Sequence, residues 1–260
     1  MVHLLKKLYK KDFFMVEQTR AFLAKNKQYN LLRKTYNSRF SELKNMNNSD
    51  FWDDLIKERV DETSFITKDR IKTVMKMIKL HKGKLLDVGL GRGLLEESMD
   101  RIGFKLYGID ISKTAIDKMI NKGIKGEFII GSILKIPFDN NFFDFVVALE
   151  VLEHISPRDT FQALRELKRV LKERGLLIVS VPLNENLEDL HKRGLNFSGH
   201  VRGYTSELIE AELETTGFSI KQKKFLYAFR SFYGFKKLLQ KTIFKHRWHP
   251  NNIVILAQKP

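Results

Sequence analysis

The stretch LLDVGLGRG, residues 85–93, is a short apolar run that carries one acid and closes on three glycines at alternate positions. Such a run reads as a buried strand, and glycines ahead of the next periodic segment read as the turn into a helix. A turn of this kind leaves backbone N–H groups free and lets the main chain approach a ligand closely. A dinucleotide site uses G-x-G-x-x-G, which would need a glycine where Leu94 stands. The spacing is instead D-x-G-x-G-x-G, over Asp87, Gly89, Gly91 and Gly93. With Asp87 at the strand end, an anion sits beside the turn. That suits a ligand with an ammonium or sulfonium centre better than a pyrophosphate.

Outward from this turn the pattern alternates. KLYGID (105–110) reads as a strand ending in Asp110, 17 positions after Gly93. An acid there can accept hydrogen bonds from both hydroxyls of a ribose. A helix over SKTAIDKMINKG (112–123) follows, then strands EFIIG (127–131) and FDFVVAL (143–149). The next helix, over 156–173, has Ser156 as its expected N-cap and Pro157 in its first position. GLLIVSVP (175–182) is a fifth strand. Apolar strands separated by helices describe an α/β fold, a parallel sheet covered on both faces. The tail reads as a helix (206–217), a long strand (218–229), a basic amphipathic helix (231–245) and a last strand (251–259). Ahead of the turn, 64–81 has helical spacing, and 1–48 reads as basic amphipathic helix broken at NMNNSD (45–50). The expected division is a helical extension over 1–60, serving as substrate cap or interface, and one domain over 61–260.

In this register the chain resembles class I S-adenosylmethionine-dependent methyltransferases. LLDVGLGRG is similar to the family's first motif and LYGIDIS (106–112) to its acidic second strand. IPFDNNFFDFVVALEVLEHI (136–155) resembles the segment through the fourth strand, and LKERGLLIVSVP (171–182) the fifth. The resemblance covers roughly residues 64–260. It implies a Rossmann-like seven-stranded sheet of order 3-2-1-4-5-7-6, the last strand antiparallel, with helices on both faces. It also implies S-adenosyl-L-methionine held by Asp87, Gly89, Gly91, Gly93, Asp110, Ile111 and Glu150. Many relatives carry an acid after the third-strand glycine to meet the adenine amine. Here Ser132 stands there; its hydroxyl can accept from that amine, and the Ile133 N–H can donate to the ring.

ALEVLEHIS (148–156) places Glu150, Glu153 and His154 at i, i+3 and i+4, one face if the turn is helical. Two carboxylates and an imidazole can ligate a hard or borderline cation, which would lower the pKa of a substrate hydroxyl. The pattern resembles one in ubiquinone-biosynthesis O-methyltransferases and plant small-RNA 2′-O-methyltransferases, where it implies a divalent metal such as Mg²⁺. In metal-free relatives the same histidine lines the substrate pocket. Residues 184–208 form a loop long for its position, of the kind that covers substrate. Within it GHVRGYT (199–205) resembles a substrate-side segment of the superfamily. It offers His200 as a base or further metal ligand, with Arg202 and Tyr204 toward the acceptor. Thr205 reads as an N-cap. His154 and His200, with Glu150, are the candidate catalytic residues.

Composition narrows the class further. Without cysteine there is no disulfide framework, thiolate metal site or cysteine nucleophile. No apolar stretch approaches the roughly 20 residues of a membrane span, and lysines interrupt the first apolar segment, so the expectation is a cytoplasmic protein. The net charge of +16 is concentrated at the ends: residues 1–48 hold 11 Lys and Arg against 3 acids, and 221–260 hold 10 against none. Basic ends suit an anionic acceptor, RNA or a membrane surface. The expected reaction is O-methylation of a small-molecule or lipid-linked acceptor. The alternatives are an RNA methyltransferase, its basic ends carrying Phe225, Tyr227, Phe232, Tyr233, Phe235 and Trp248, and a non-catalytic cofactor-binding module.

Overall fold

The computed structural model describes residues 47–58, 64–78, 82–99, 103–228 and 249–260. The basic helix expected over 231–245 and nearly all of that expected over 1–48 lie outside these residues.

Helices α1 (Ser49–Glu58) and α2 (Phe65–Ile78) precede β1 (Lys84–Val88), α3 (Leu94–Met99), β2 (Lys105–Asp110), α4 (Lys113–Asn121) and β3 (Glu127–Ile130). Then come β4 (Phe143–Leu149), a 3₁₀ turn (Leu152–His154), α5 (Thr160–Val170) and β5 (Leu171–Pro182). The chain closes with α6 (Leu187–Lys192), α7 (Ser206–Thr215), β6 (Ser219–Leu226) and β7 (Asn252–Gln258). The strands form one sheet of order β3-β2-β1-β4-β5-β7-β6. β7 runs antiparallel to both its neighbours and the other pairs are parallel, which is the expected topology.

Successive strand residues point to opposite faces, and both faces here are apolar. Leu86, Val146, Val179, Ile253 and Ile255 enter one core with Leu164, Leu167 and Leu208 of α5 and α7. Their neighbours Leu85, Phe145, Val147, Ile178 and Val254 enter the other, with Val74 and Ile78 of α2 and Leu95 of α3. That double burial explains why these strands read as continuous apolar runs.

Two expectations shift locally. Ser156 does not cap α5: its Oγ accepts from the Arg158 N–H and its carbonyl from the Asp159 N–H, making a separate turn ahead of the helix. Nor does α5 run to 173. Leu171 is already extended and pairs with Phe143, while Lys172 donates to Asp144 on β4. A bulge between Phe143 and Phe145 absorbs the extra residues before the pairing resumes at Leu176. The Thr205 cap holds, its side chain accepting from the Leu208 N–H.

Candidate active site

The carboxyl ends of β1, β2 and β4 open onto a cavity of about 350 Å³, a size typical of small-molecule sites. Gly89, Gly91, Asp110, Ile111, Ser132, Ile133, Glu150 and His154 line it, and α1 contributes Trp52, Leu55 and Ile56 to its wall. Asp87, Gly93, Glu153, His200, Arg202 and Tyr204 lie outside that lining.

The three glycines of the turn all have positive φ, at 88°, 52° and 73°, but for different ends. A Cβ on Gly89 would meet Val151 at 2.6 Å, and one on Gly93 would run into the Met119 thioether, so both are small because the interior is full. A Cβ on Gly91 would meet nothing within 4 Å. The cavity face of the turn is therefore open at Gly91, as a close approach to a ligand requires.

Asp110 braces this turn. Its Oδ2 accepts from the Gly91 N–H at 3.0 Å and its Oδ1 from the Ser112 N–H at 2.9 Å. An ionised carboxylate has about four acceptor positions, and the Ile111 N–H also acts on this one, so acceptor capacity remains for a ribose hydroxyl. Asp87 is placed differently from its expected role. It is 4% exposed and faces Glu96 of α3, itself 2% exposed, beneath the turn. Asp87 Oδ1 and both Glu96 carboxylate oxygens have no hydrogen-bond donor among the described residues. Facing each other, the two carboxyls can share a proton, and burial raises both, Asp87 well above its ordinary value. Ser132 closes its own turn, its Oγ accepting from the Leu134 N–H at 3.2 Å beside the buried Ile133.

The acidic turn after β4 is not one helical face. Glu150 takes a left-handed backbone, φ 58°. Its Oε2 pairs with Arg70 of α2 at 2.6 Å, while Oε1 accepts from Ser180 and Asn252, each at 2.8 Å. These three partners engage the Glu150 carboxylate, which is not one of the group whose ligand atoms converge. That group is Glu153, His154 and His200 in place of the expected Glu150, Glu153 and His154, its ligand atoms within 4.8 Å of one another. Glu153 is fully buried, neither oxygen has a hydrogen-bond donor among the described residues, and burial followed by Glu150 drives its pKa well up. His200 Nδ1 lies 2.7 Å from Glu185, and the His154 ring meets His200 and Trp52 at centroid distances of 4.8 and 4.7 Å.

Arg202 and Tyr204 do not reach the acceptor side. Both are 1% exposed; Arg202 pairs with Glu212 and Thr160, and the Tyr204 hydroxyl donates to Glu212 at 3.1 Å. Their charge and hydroxyl are satisfied inside the protein, under the loop instead of on it.

Sequence reasoning misses Trp52, Arg70, Glu96, Ser180 and Asn252. Arg70 and Asn252 are 80 and 102 positions from Glu150, and no local spacing signals such a partnership. Glu96 carries a detectable sign: an acid on the apolar face of LLEESM.

Residues 86–179 match the family described as "Methyltransferase domain". The ubiquinone biosynthesis O-methyltransferase of Pelagibacter ubique (strain HTCC1062) is 34% identical over 108 residues, 40% of this chain and 44% of that protein. The chain thus spans less than half the length of that relative. Among solved structures, a SAM-dependent methyltransferase from Archaeoglobus fulgidus has a TM-score of 0.60 at 20% identity, covering 79% of this chain and 98% of its own. The N-methyltransferase NodS of Bradyrhizobium japonicum WM9, in complex with S-adenosyl-L-homocysteine, has a TM-score of 0.59 at 14% identity over 90% of this chain and all of its own. At these identities the likeness is one of fold.

Proposed function

We propose that this chain is a class I S-adenosylmethionine-dependent methyltransferase, a reading its methyltransferase-domain match over 86–179 supports, and that it methylates a hydroxyl of a small-molecule or lipid-linked acceptor. One observation carries the reading: the open face of Gly91, the carboxylate of Asp110 and the imidazole of His154 share a single cavity. The donor set fits the cofactor. Asp110 keeps acceptor capacity for the ribose, Ser132 and Ile133 flank the adenine position, and Gly91 admits close approach. Asp87 acts from one layer behind, its charge shared with Glu96.

When bound, S-adenosylmethionine supplies a methyl group on a positively charged sulfur. The chain's own contribution is alignment, exclusion of water and removal of the acceptor's proton, and alignment is the largest of these. Trp52 and Leu55 wall the cavity against solvent. His154 is the group placed to take the proton of the acceptor hydroxyl as its oxygen gains the methyl group.

A second reading is favoured by Glu153, a buried carboxylate without a donor among the described residues and beside two imidazoles. Glu153, His154 and His200 would then hold Mg²⁺, and the Glu185 contact on His200 Nδ1 would fix that ring with Nε2 toward the ion. The metal would lower the pKa of the acceptor hydroxyl directly. Incubation with methyl-labelled donor and a panel of phenols, alcohols and amines, with Mg²⁺ and with EDTA, tests both readings. Label on oxygen supports the proposal and label on nitrogen alone refutes it. Activity unaffected by EDTA excludes the metal.

A further inference from the structure

Helix α1 contributes to the cavity wall and reaches the segment after Asp110 through one residue. Asp53 Oδ1 accepts from the Thr114 N–H at 2.9 Å and from the Ser112 hydroxyl. Ser112 is fully buried, and its own N–H is the donor to Asp110 Oδ1. Asp110 in turn takes the Gly91 N–H on its other oxygen. A continuous chain of hydrogen bonds thus runs from α1 through Ser112 and Asp110 to the open glycine of the turn. Beside it, Ile56 packs with Ala115, Ile116 and Met119 of α4, and the Lys118 ammonium donates to the Ile56 carbonyl at 3.3 Å.

We propose that Asp53 is a positioning residue for the cofactor. It fixes Ser112, and through it Asp110, so that donor affinity depends on α1 being seated. This rests on the cofactor reading of the cavity given above.

A plain helix cap would be the bland account of Asp53, but α4 already has one. Ser112 Oγ accepts from the Ala115 N–H at 3.1 Å, the ordinary N-cap bond. Asp53 comes from an element about 60 positions away and takes the hydroxyl proton that this acceptance leaves over. The two hydrogen bonds hold the Asp53 carboxyl below its usual range, so it is ionised at neutral pH and bonds as a charged acceptor. Without it, Ser112 and Thr114 lose their tie to α1, and the segment whose Ser112 N–H orients Asp110 is held less firmly.

The test is equilibrium dialysis of the full chain against labelled S-adenosylhomocysteine, for wild type, Asp53→Ala and Asp53→Asn. Melting curves without ligand and steady-state kinetics accompany it. Removing about two hydrogen bonds to the loop should weaken binding by about tenfold. Donor KM should rise with it, while kcat at saturating donor holds. Asp53→Asn keeps an oxygen acceptor and should stay within about threefold of wild type. If Asp53→Ala lowers only the melting temperature and binds as wild type does, Asp53 is a cap and the inference fails. It fails equally if Asp53→Asn, folded, binds as weakly as the alanine variant. If wild type itself binds neither S-adenosylmethionine nor S-adenosylhomocysteine, the cofactor reading has failed first, and the wild-type measurement alone reveals it.

Discussion

Asp87 and Glu96 carry an electrostatic cost that fixes a pH dependence. Burial raises both carboxyls first, and their mutual repulsion adds to Asp87; Asp110 faces Asp87, while Lys122 and Glu97 act on Glu96. The folded state therefore favours protons here more than the unfolded chain does. Stability from this pair is complete below the ordinary carboxyl range and is lost as pH rises through the raised values. Glu96→Gln gives Asp87 a permanent donor. It should flatten the fall in melting temperature as pH rises above the ordinary carboxyl range and gain about 1 kcal/mol on the alkaline side, or about 3 °C. A steeper fall in the variant would contradict the assignment. Glu153→Gln addresses a further buried acid: it should leave S-adenosylhomocysteine binding intact and abolish any activation by Mg²⁺ in the methyl-transfer assay. Activation that survives the change would remove Glu153 from the cation site. At this scale the sequence is only partly legible. Asp110 is legible because its position after a strand implies its direction. Arg202 and Tyr204 mislead because an arginine in a polar loop looks solvent-facing until its partner Glu212 is seen. Glu150 misleads because its spacing implies a helical face where its left-handed φ breaks the helix.

The glycine turn makes two of its residues separable. Alanine at a left-handed position costs roughly 1–2 kcal/mol in backbone strain alone. Gly91→Ala meets no neighbour, so it should fold with about that loss, yet weaken donor binding by about tenfold or more because the added methyl stands on a residue that lines the cavity. Gly93→Ala adds a collision with Met119 of α4 and should melt several degrees lower than Gly91→Ala. Thermal melts and dialysis on the two variants check both halves. Similar melting temperatures for the pair would mean that α4 yields easily. Elements of this size are the most legible, since double-sided burial makes each strand an apolar run and glycine marks each turn. The α5–β5 boundary is the exception. Long-range pairing of Leu171 with Phe143 overrides a helical periodicity that continues through Leu171.

Across the whole molecule, the sheet order is legible through resemblance to a family and not through local physics, because strand adjacency is a long-range property that periodicity does not encode. The basic charge is concentrated in 1–48 and 221–260, and the second of these stretches carries β7 and most of β6. Much of that charge falls outside the described residues. Among the described residues no helix is long and apolar enough to cross a membrane. A ligand that binds only the folded state at a hundred times its Kd stabilises that state by about 2.7 kcal/mol. Saturating cofactor should therefore raise the melting temperature of the whole domain by about 5–10 °C. Calorimetric titration of the wild-type protein with S-adenosylhomocysteine tests the central claim most directly. The cavity beside Gly91 and Asp110 predicts one saturable site per chain, weakened about tenfold or more in Gly91→Ala; a folded protein that gives no binding with this ligand or with S-adenosylmethionine would contradict it.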